Sequence, residues 1–129
     1  MPPDVSVEGS PCGWLRYAEA DLELARSASP PGGFYEPLCF HAQQAAEKAL
    51  KGVLVAHGIE FPYTHNIQRL LDLLPSHLQH PSLVDNAARL TAYAVAGRYP
   101  GVDEPVTEDE YCEALKIAKA VVAWAKTQV

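Results

Sequence analysis

The spacing of the prolines constrains this chain more than any other feature of its sequence. Proline inside a helix removes a backbone hydrogen bond and clashes with the preceding turn, so prolines mark helix ends. All eleven prolines fall at or near the edges of five uninterrupted windows, which cover residues 12–29, 38–61, 63–74, 82–99 and 106–129. Each window is therefore a candidate helix.

Apolar residues recur in these windows at three- and four-residue spacing, as on one face of a helix. The stripe of the second window carries four alanines, which predict the close approach of another helix: Ala42, Ala45, Ala46 and Ala49. Apart from the short connection 58–63, nothing alternates with the period of a strand. The sequence predicts an all-α fold, an up-and-down bundle of four long helices plus one short helix over residues 63–74.

Capping residues predict where the helices begin and end. Ser10 followed by Pro11 is typical of a helix start, and Gly58 is typical of a helix end. The second helix is expected to begin near Phe34, with Pro37 tolerated in its first turn. The other predicted starts are Thr64 for the third helix, Ser82 with Asp85 as a capping box for the fourth, and Thr107 with Glu110 as a capping box for the fifth.

Length and composition bound the class of protein. A chain of 129 residues with 48% hydrophobic and 20% charged residues can form one core and is not disordered by composition. We expect residues 1–9 to form a flexible tail and residues 10–129 to form a single domain. A mean hydropathy of -0.09, with no apolar run near twenty residues, predicts no membrane span. The chain opens without a basic and apolar leader, so we expect a cytoplasmic protein.

Charge and cysteine usage exclude further classes. A net charge of -6 and a pI near 5.2 have the wrong sign for a protein that coats nucleic acid nonspecifically. The three cysteines, Cys12, Cys39 and Cys112, are odd in number and far apart. We therefore expect reduced thiols rather than a disulfide framework or a structural zinc site.

The second window carries a row of polar residues, His41, Gln44, Lys48 and Lys51, within an arc of about 80°. We call these four residues the polar stripe. One interpretation is a solvated helix face, which is favoured by Glu47 four residues before Lys51, the spacing of a surface ion pair. The other interpretation is the wall of a groove whose ammonium groups and neutral donors suit phosphate and the edges of bases.

A second cluster, Gly97-Arg98-Tyr99-Pro100-Gly101, ends the fourth window. Arg98 offers a planar donor fork and Tyr99 a stacking ring, which together suit a nucleotide. The alternative is structural, with Arg98 bonding the carbonyls of the helix end and Tyr99 packing. His65, beside Thr64 at a helix start, is a further polar candidate.

Patterns for metal binding or catalysis are weak. His77-x-x-His80 resembles a ligand pair, but Pro81 follows at once and we interpret this segment as a surface turn. Cys39 and His41 are two residues apart and would lie on different helix faces, which disfavours a nucleophilic site. No Gly-rich phosphate loop, GxSxG or HExxH is present. We predict no catalytic residue, no metal and no cofactor.

The order of these motifs resembles the HEPN family (higher eukaryotes and prokaryotes nucleotide-binding). The resemblance rests on the helix at 40–51, FHAQQAAEKALK, the Gly58 turn, Thr64-His65-Asn66 before a leucine-rich helix, and Arg98-Tyr99-Pro100. It covers the chain from about Trp14 to Trp124. The helix signature and the downstream Arg-Tyr-Pro are fairly specific together and weak separately.

The resemblance implies a compact helical bundle that usually dimerises. Many small prokaryotic members are encoded beside a minimal nucleotidyltransferase, and some such pairs act as toxin–antitoxin modules. The implied partners are a second copy of the chain, a nucleotidyltransferase-domain protein and a nucleotide such as ATP, bound in a polar groove. Residues at recurring family positions, together with His41 of the polar stripe, form the nucleotide-binding hypothesis: His41, Gln44, Lys48, Lys51, His65, Arg98 and Tyr99.

One departure from the family bears on catalysis. Ribonuclease members carry an arginine followed, after four to six residues, by a histidine, whereas the window after Arg98 holds Asp103, Glu104 and Pro105. RNA cleavage needs a group that moves a proton near neutral pH. A non-catalytic nucleotide-binding protein is thus the leading hypothesis, and RNA is a disfavoured partner. The alternatives are a metal-independent ribonuclease toxin, using Arg98 with His65 or His41, and a purely structural helical dimer.

Overall fold

The structure is a computed structural model that describes residues 9–27, 30–94 and 104–129. This part of the chain is all-α and contains no strand, which confirms the predicted fold class. The α-helices are α1 (Pro11–Ala25), α2 (Glu36–Ala56), α3 (Ile67–Leu73), α4 (Ser82–Asp85) and α5 (Glu108–Gln128), with 3₁₀ helices at Pro31–Gly33 and Asn86–Tyr93.

Contacts between the helix ends define the direction of each helix. The Tyr111 hydroxyl, at the start of α5, donates to the carbonyl of Ala25 at the end of α1 (2.5 Å), and its ring stacks on Tyr35 just before α2 (5.1 Å). α1 therefore runs opposite to α2 and α5. Near the other end of α5, Trp124 Nε1 donates to the Gln79 carbonyl (2.9 Å). The segment from α4 to Tyr93 runs back along α5, as in an up-and-down bundle.

Burial raises the pKa of the Tyr111 phenol. The largest effect is desolvation, and the nearby Cys112 thiol, Cys39 thiol and Tyr35 phenol act in the same direction, so the pKa of Tyr111 lies above its ordinary value of 10.0. A neutral phenol keeps its proton for the Ala25 carbonyl. This bond ties the end of α1 to the start of α5.

α2 is the central helix and is buried on most of its circumference. It packs most extensively against α1 and next against α5. The alanines at 42, 45, 46 and 49 are fully buried, and a Cβ placed on Gly52 would lie 3.1 Å from Trp14 Cβ and 3.3 Å from the Pro11 carbonyl. The predicted close approach of a second helix is confirmed, and that helix is α1.

Three predicted helix ends are confirmed. Ser10 Oγ accepts from the Gly13 N–H (3.0 Å) at the start of α1. At the end of α2, Gly58 adopts a positive φ of 69°, its N–H bonds the Val55 carbonyl, and the Ile59 N–H bonds the Leu54 carbonyl. The capping box of α5 is complete: the Glu110 N–H donates to Thr107 Oγ1 (3.1 Å) and the Thr107 N–H to Glu110 Oε1 (3.0 Å).

The cap predicted for the third helix, Thr64, is wrong by two residues. Asn66 caps α3, because its Oδ1 accepts from the Gln68 N–H (3.0 Å). The Thr64 hydroxyl is used earlier, as the acceptor for the Asn66 N–H (3.0 Å). The helix ends at Leu73 before Pro75, as the proline predicts.

The capping box predicted for the fourth helix is absent. Pro81 occupies the cap position and Ser82 is already helical, so the Ser82 hydroxyl makes no capping bond. The Asp85 carboxylate pairs instead with His80 Nε2 (2.8 Å). The α-helical winding also stops at Asp85, and the chain continues as a 3₁₀ helix to Tyr93 rather than as one long α-helix.

The described residues contain no helix long and apolar enough to cross a membrane. No disulfide joins Cys12, Cys39 and Cys112. The expected tail up to residue 8, and the segment 95–103 with Arg98 and Tyr99, lie outside the described residues.

Candidate functional site

Two residues of the polar stripe are held by a carboxylate of the neighbouring helix. Asp21 of α1 is buried, and its Oδ2 accepts from Lys48 Nζ at 2.6 Å. Its Oδ1 lies 3.0 Å from His41 Nδ1. Because a carboxylate only accepts, the Nδ1 of His41 carries the proton. One buried acid thus fixes the positions of two half-buried side chains on α2.

The sequence interpretation missed Asp21, although a signal was present. Asp21 lies three residues after Ala18 and four before Ala25, and so within the apolar stripe of α1. An acid on the core face of a helix needs a buried partner, since an isolated charge is costly to remove from water. The search for that partner would have pointed to the basic residues of α2.

A second buried carboxylate, Glu47 of α2, holds three further groups. Lys51 Nζ donates to Glu47 Oε2 (3.0 Å), while Glu47 Oε1 lies 2.9 Å from His65 Nδ1 and accepts from Gln43 Nε2 (3.0 Å). The side chains of Glu47 and Lys51 are only 4% and 6% exposed. The interpretation of these two residues as a surface ion pair is therefore wrong.

Aromatic rings enclose the Lys51 ammonium. Its Nζ lies 5.7 Å from the ring centres of Trp14 and Phe61 and 5.8 Å from that of Tyr63. These rings attract the charge through their electron-rich faces. Lys51 therefore lies beneath the surface, where the Glu47 carboxylate and the three rings stabilise its charge.

Gln43 connects this cluster to the surface. It is fully buried, and its Nε2 also donates to the His65 carbonyl (3.2 Å). Its Oε1 accepts from Gln44 Nε2 (2.8 Å), so Gln44 is anchored at one end of its amide. The sequence interpretation missed Gln43 as well. Its spacing from the buried Cys39 and Leu50 places it on a second core face of α2.

Exposed aromatic rings flank the polar stripe. Tyr17 lies beside Lys48, with its ring centre 5.8 Å from Nζ, and the Phe40 ring meets the His41 ring at 5.4 Å. Tyr63 is 87% exposed and meets the His65 ring edge-on at 5.5 Å. Exposed rings beside fixed polar groups can stack on a flat ligand.

The other histidines do not join this site. His77 is exposed, as expected for a surface turn, whereas His80 is half-buried between Asp85 and the Trp124 ring. Nowhere in ranges 9–27, 30–94 and 104–129 do three or more residues come together as a metal site. Arg98 and Tyr99 belong to the segment outside the described residues.

The charges of the site balance, and some of its polar atoms can still bind a ligand. Asp21 and Glu47 offset the ammonium groups of Lys48 and Lys51, so this surface is not a cationic trap. Three outward atoms have no hydrogen-bond partner among the described residues: His41 Nε2, Gln44 Oε1 and His65 Nε2. Such an arrangement suits a ligand with a flat ring and defined donor groups better than a bare anion.

Comparisons with known proteins agree with the fold and with the family resemblance. The sequence model of the HEPN domain matches residues 13–128. The crystal structure of TT1696 from Thermus thermophilus is similar, with a TM-score of 0.77 and 34% identity over 92% of this chain and 98% of that one. The crystal structure of ST0689, an archaeal HEPN homologue, is also similar, with a TM-score of 0.70 and 35% identity. The match covers 92% of this chain and 97% of ST0689. No curated protein matches the sequence.

Proposed function

Because the chain belongs to the HEPN domain family, we propose that it binds a nucleotide along the polar stripe without catalysing a reaction. In this proposal it acts with a separately encoded minimal nucleotidyltransferase, as a candidate toxin–antitoxin pair. Lys48 and Arg98 contact phosphate, and Tyr99 stacks on or orients the nucleotide. The remaining polar contacts come from His41, Gln44 and His65.

The observation that carries the proposal is the use of buried carboxylates to fix surface side chains. Asp21 and Glu47 are both buried, and each binds a histidine whose second nitrogen faces outward. Buried ion pairs contribute little net stability, because desolvation of the charges offsets their attraction. What they supply here is fixed orientation, which lowers the entropy lost when a ligand binds.

In this proposal Lys51 and Lys48 have different roles. The Lys51 ammonium is enclosed by Glu47 and aromatic rings, so it supports the site from beneath by holding the Glu47 carboxylate in place. Lys48 is about a quarter exposed, and among the described residues its only hydrogen bond is to Asp21. Its remaining N–H groups can reach a phosphate without breaking that bond.

Thermal unfolding with a panel of nucleotides at millimolar concentration tests the proposal. A nucleotide at about one hundred times its Kd adds roughly 2.7 kcal/mol, which raises the Tm of a chain of this size by about 10 °C. We expect this rise for the wild type and a smaller one for Lys48→Ala and Arg98→Ala.

A matched control separates the site from general charge effects. Lys126→Ala removes an exposed lysine that pairs with Glu19 on the surface (3.0 Å). This variant should keep the full nucleotide-dependent rise in Tm. If no nucleotide raises the Tm of the wild type, or if Lys126→Ala loses the rise as Lys48→Ala does, nucleotide binding along the polar stripe is wrong.

The protein partners follow from the family and form part of the proposal. We expect a homodimer, which light scattering during gel filtration detects as twice the chain mass of 14.0 kDa. We also expect the tagged protein to retain a minimal nucleotidyltransferase encoded by the same organism when the two are produced together. A monomer at micromolar concentration would contradict the first expectation, and a nucleotidyltransferase that is not retained would contradict the second.

A metal-independent ribonuclease toxin is the second candidate. It is favoured by the carboxylate-bound histidines, because Nδ1 donates to an acid and leaves Nε2 to carry a proton at His41 and His65. It predicts RNA cleavage in the presence of a chelator, and growth arrest that Arg98→Ala relieves. If the purified protein cuts no RNA at high concentration and Arg98→Ala is no less toxic, this candidate should be dropped.

A further inference from the structure

The hydrogen bonds behind the polar stripe have a fixed direction. Both acceptors of the Gln43 Nε2 group, the Glu47 carboxylate and the His65 carbonyl, can only accept. The amide of Gln43 therefore has one orientation, with its Oε1 toward Gln44. Because that oxygen also only accepts, Gln44 must present its Nε2 inward.

The fixed orientation of the Gln43 amide decides which atoms of Gln44 remain for a ligand. One N–H of its Nε2 is bonded to Gln43, so the carbonyl Oε1 and the second N–H remain. Rotating the amide by half a turn would place the oxygens of Gln43 and Gln44 face to face. Such a contact is repulsive, and it would leave the buried Gln43 oxygen without a donor. Gln44 therefore cannot reverse its polarity to suit a different base.

The histidines present the same polarity. His41 and His65 each use Nδ1 as the donor to a carboxylate, so a neutral ring exposes the Nε2 lone pair. With neutral rings, the outward side of the site is rich in acceptors. It matches a ligand whose exposed edge carries an amino group.

We infer that the polar stripe selects adenine among purines, with Gln44 as the residue that reads the base. This inference rests on the proposed nucleotide site. Adenine offers an amino donor at N6 beside an acceptor at N7, which is the complement of a glutamine carbonyl and N–H. Hypoxanthine and guanine carry an oxygen at position 6, which would face the fixed Gln44 oxygen.

A comparison of ATP with ITP tests the inference, because the two share their phosphates and differ at the six-position edge of the base. Titration calorimetry gives both affinities. We expect ATP to bind wild-type protein at least about tenfold more tightly than ITP, the scale of discrimination for one bidentate base contact. In Gln44→Leu the two affinities should become equal within about twofold.

Two variants control for loss of folding. Gln128→Leu makes the same change near the end of α5, where the Gln128 amide bonds Thr127, and should keep the wild-type preference. Gln44→Ala, with its Tm measured alongside, repeats the test with a smaller side chain.

The outcomes separate this inference from the proposed function. Equal binding of ATP and ITP by the wild type would overturn adenine selection while nucleotide binding stands. A preference for ATP that survives in both Gln44 variants would overturn the role of Gln44. If neither nucleotide binds, the proposed function fails and adenine selection fails with it.

Discussion

Replacement of Glu47 by leucine is the most informative perturbation of this fold. The change puts a somewhat larger apolar side chain in its place and removes the carboxylate that bonds Lys51, His65 and Gln43. Lys51 would then remain beneath the surface, 6% exposed, and of the contacts that the described residues give its ammonium only those with aromatic rings would be left. Gln43 would keep one acceptor, the carbonyl of His65 (3.2 Å).

The expected loss of stability is large because the remaining charge is buried. Removing one partner of a buried ion pair costs about 3–5 kcal/mol. With roughly 2.1 cal/mol/K of unfolding entropy per residue, each kcal/mol shifts the Tm of a 129-residue chain by about 4 °C. Glu47→Leu should therefore lower the Tm by about 12–20 °C in a thermal unfolding experiment followed by circular dichroism.

Two further variants test the reasoning. The double variant Glu47→Leu with Lys51→Met removes both charges and should recover most of the lost stability, since well-packed apolar residues often replace a buried pair without loss. Glu113→Leu removes an acid from the exposed pair with Arg89, whose side chains are 56% and 66% exposed, and should cost less than about 1 kcal/mol. If Glu47→Leu costs no more than Glu113→Leu, or if Lys51→Met adds to its loss, Glu47 does not hold a buried charge.

Three other predictions concern the frame around the site. Gly52→Ala should destabilise the fold by about 0.5–2 kcal/mol in urea unfolding. The new Cβ would lie 3.1 Å from Trp14 Cβ, and the cost of this contact outweighs the higher helix propensity of alanine. A gain in stability would contradict the close contact of α1 and α2. Tyr111→Phe should cost about 0.5–1.5 kcal/mol at pH 7. The pKa of Tyr111 is raised in the folded state, so the unfolded state loses the phenol proton first as the pH rises. The difference in unfolding free energy between the wild type and Tyr111→Phe should therefore shrink above about pH 10. A constant difference across that range would show that the phenol titrates alike in both states. Thr107→Ala should cost about 0.5–2 kcal/mol through loss of its capping bond, whereas Ser82→Ala should stay within about 0.5 kcal/mol, and equal costs would contradict the two cap assignments.

The sequence predicts a helix end well where the residue type at that end has one common structural role. Gly58 has a backbone conformation that other residues rarely adopt, so its role as a helix end could be recognised. Thr107 is followed at the right spacing by Glu110, and both capping bonds form. Thr64 and Ser82 illustrate the limit, because a hydroxyl at a helix start can serve a neighbouring turn or none, and sequence spacing does not decide between these uses.

The site was predictable in part. Spacing on α2 placed the residues of the polar stripe in one arc, and the structure brings His41 and Lys48 together on one carboxylate. The depth of Lys51 could not be derived, since it depends on rings contributed by other segments, including Phe61. Glu47 looks like an ordinary surface acid until the packing of α2 is known, whereas the place of Asp21 on the apolar stripe of α1 was a signal that the sequence offered.

The central claim is that a nucleotide binds along the polar stripe, and side-chain NMR tests it most directly. A chain of 14.0 kDa gives resolved signals for glutamine amides and histidine rings. On titration with ATP, we predict that the signals of Gln44, His41 and His65 shift together with one Kd, while those of the exposed His57 and His77 do not move. Shifts confined to His57 or His77, or no shifts at millimolar ATP, would contradict the claim.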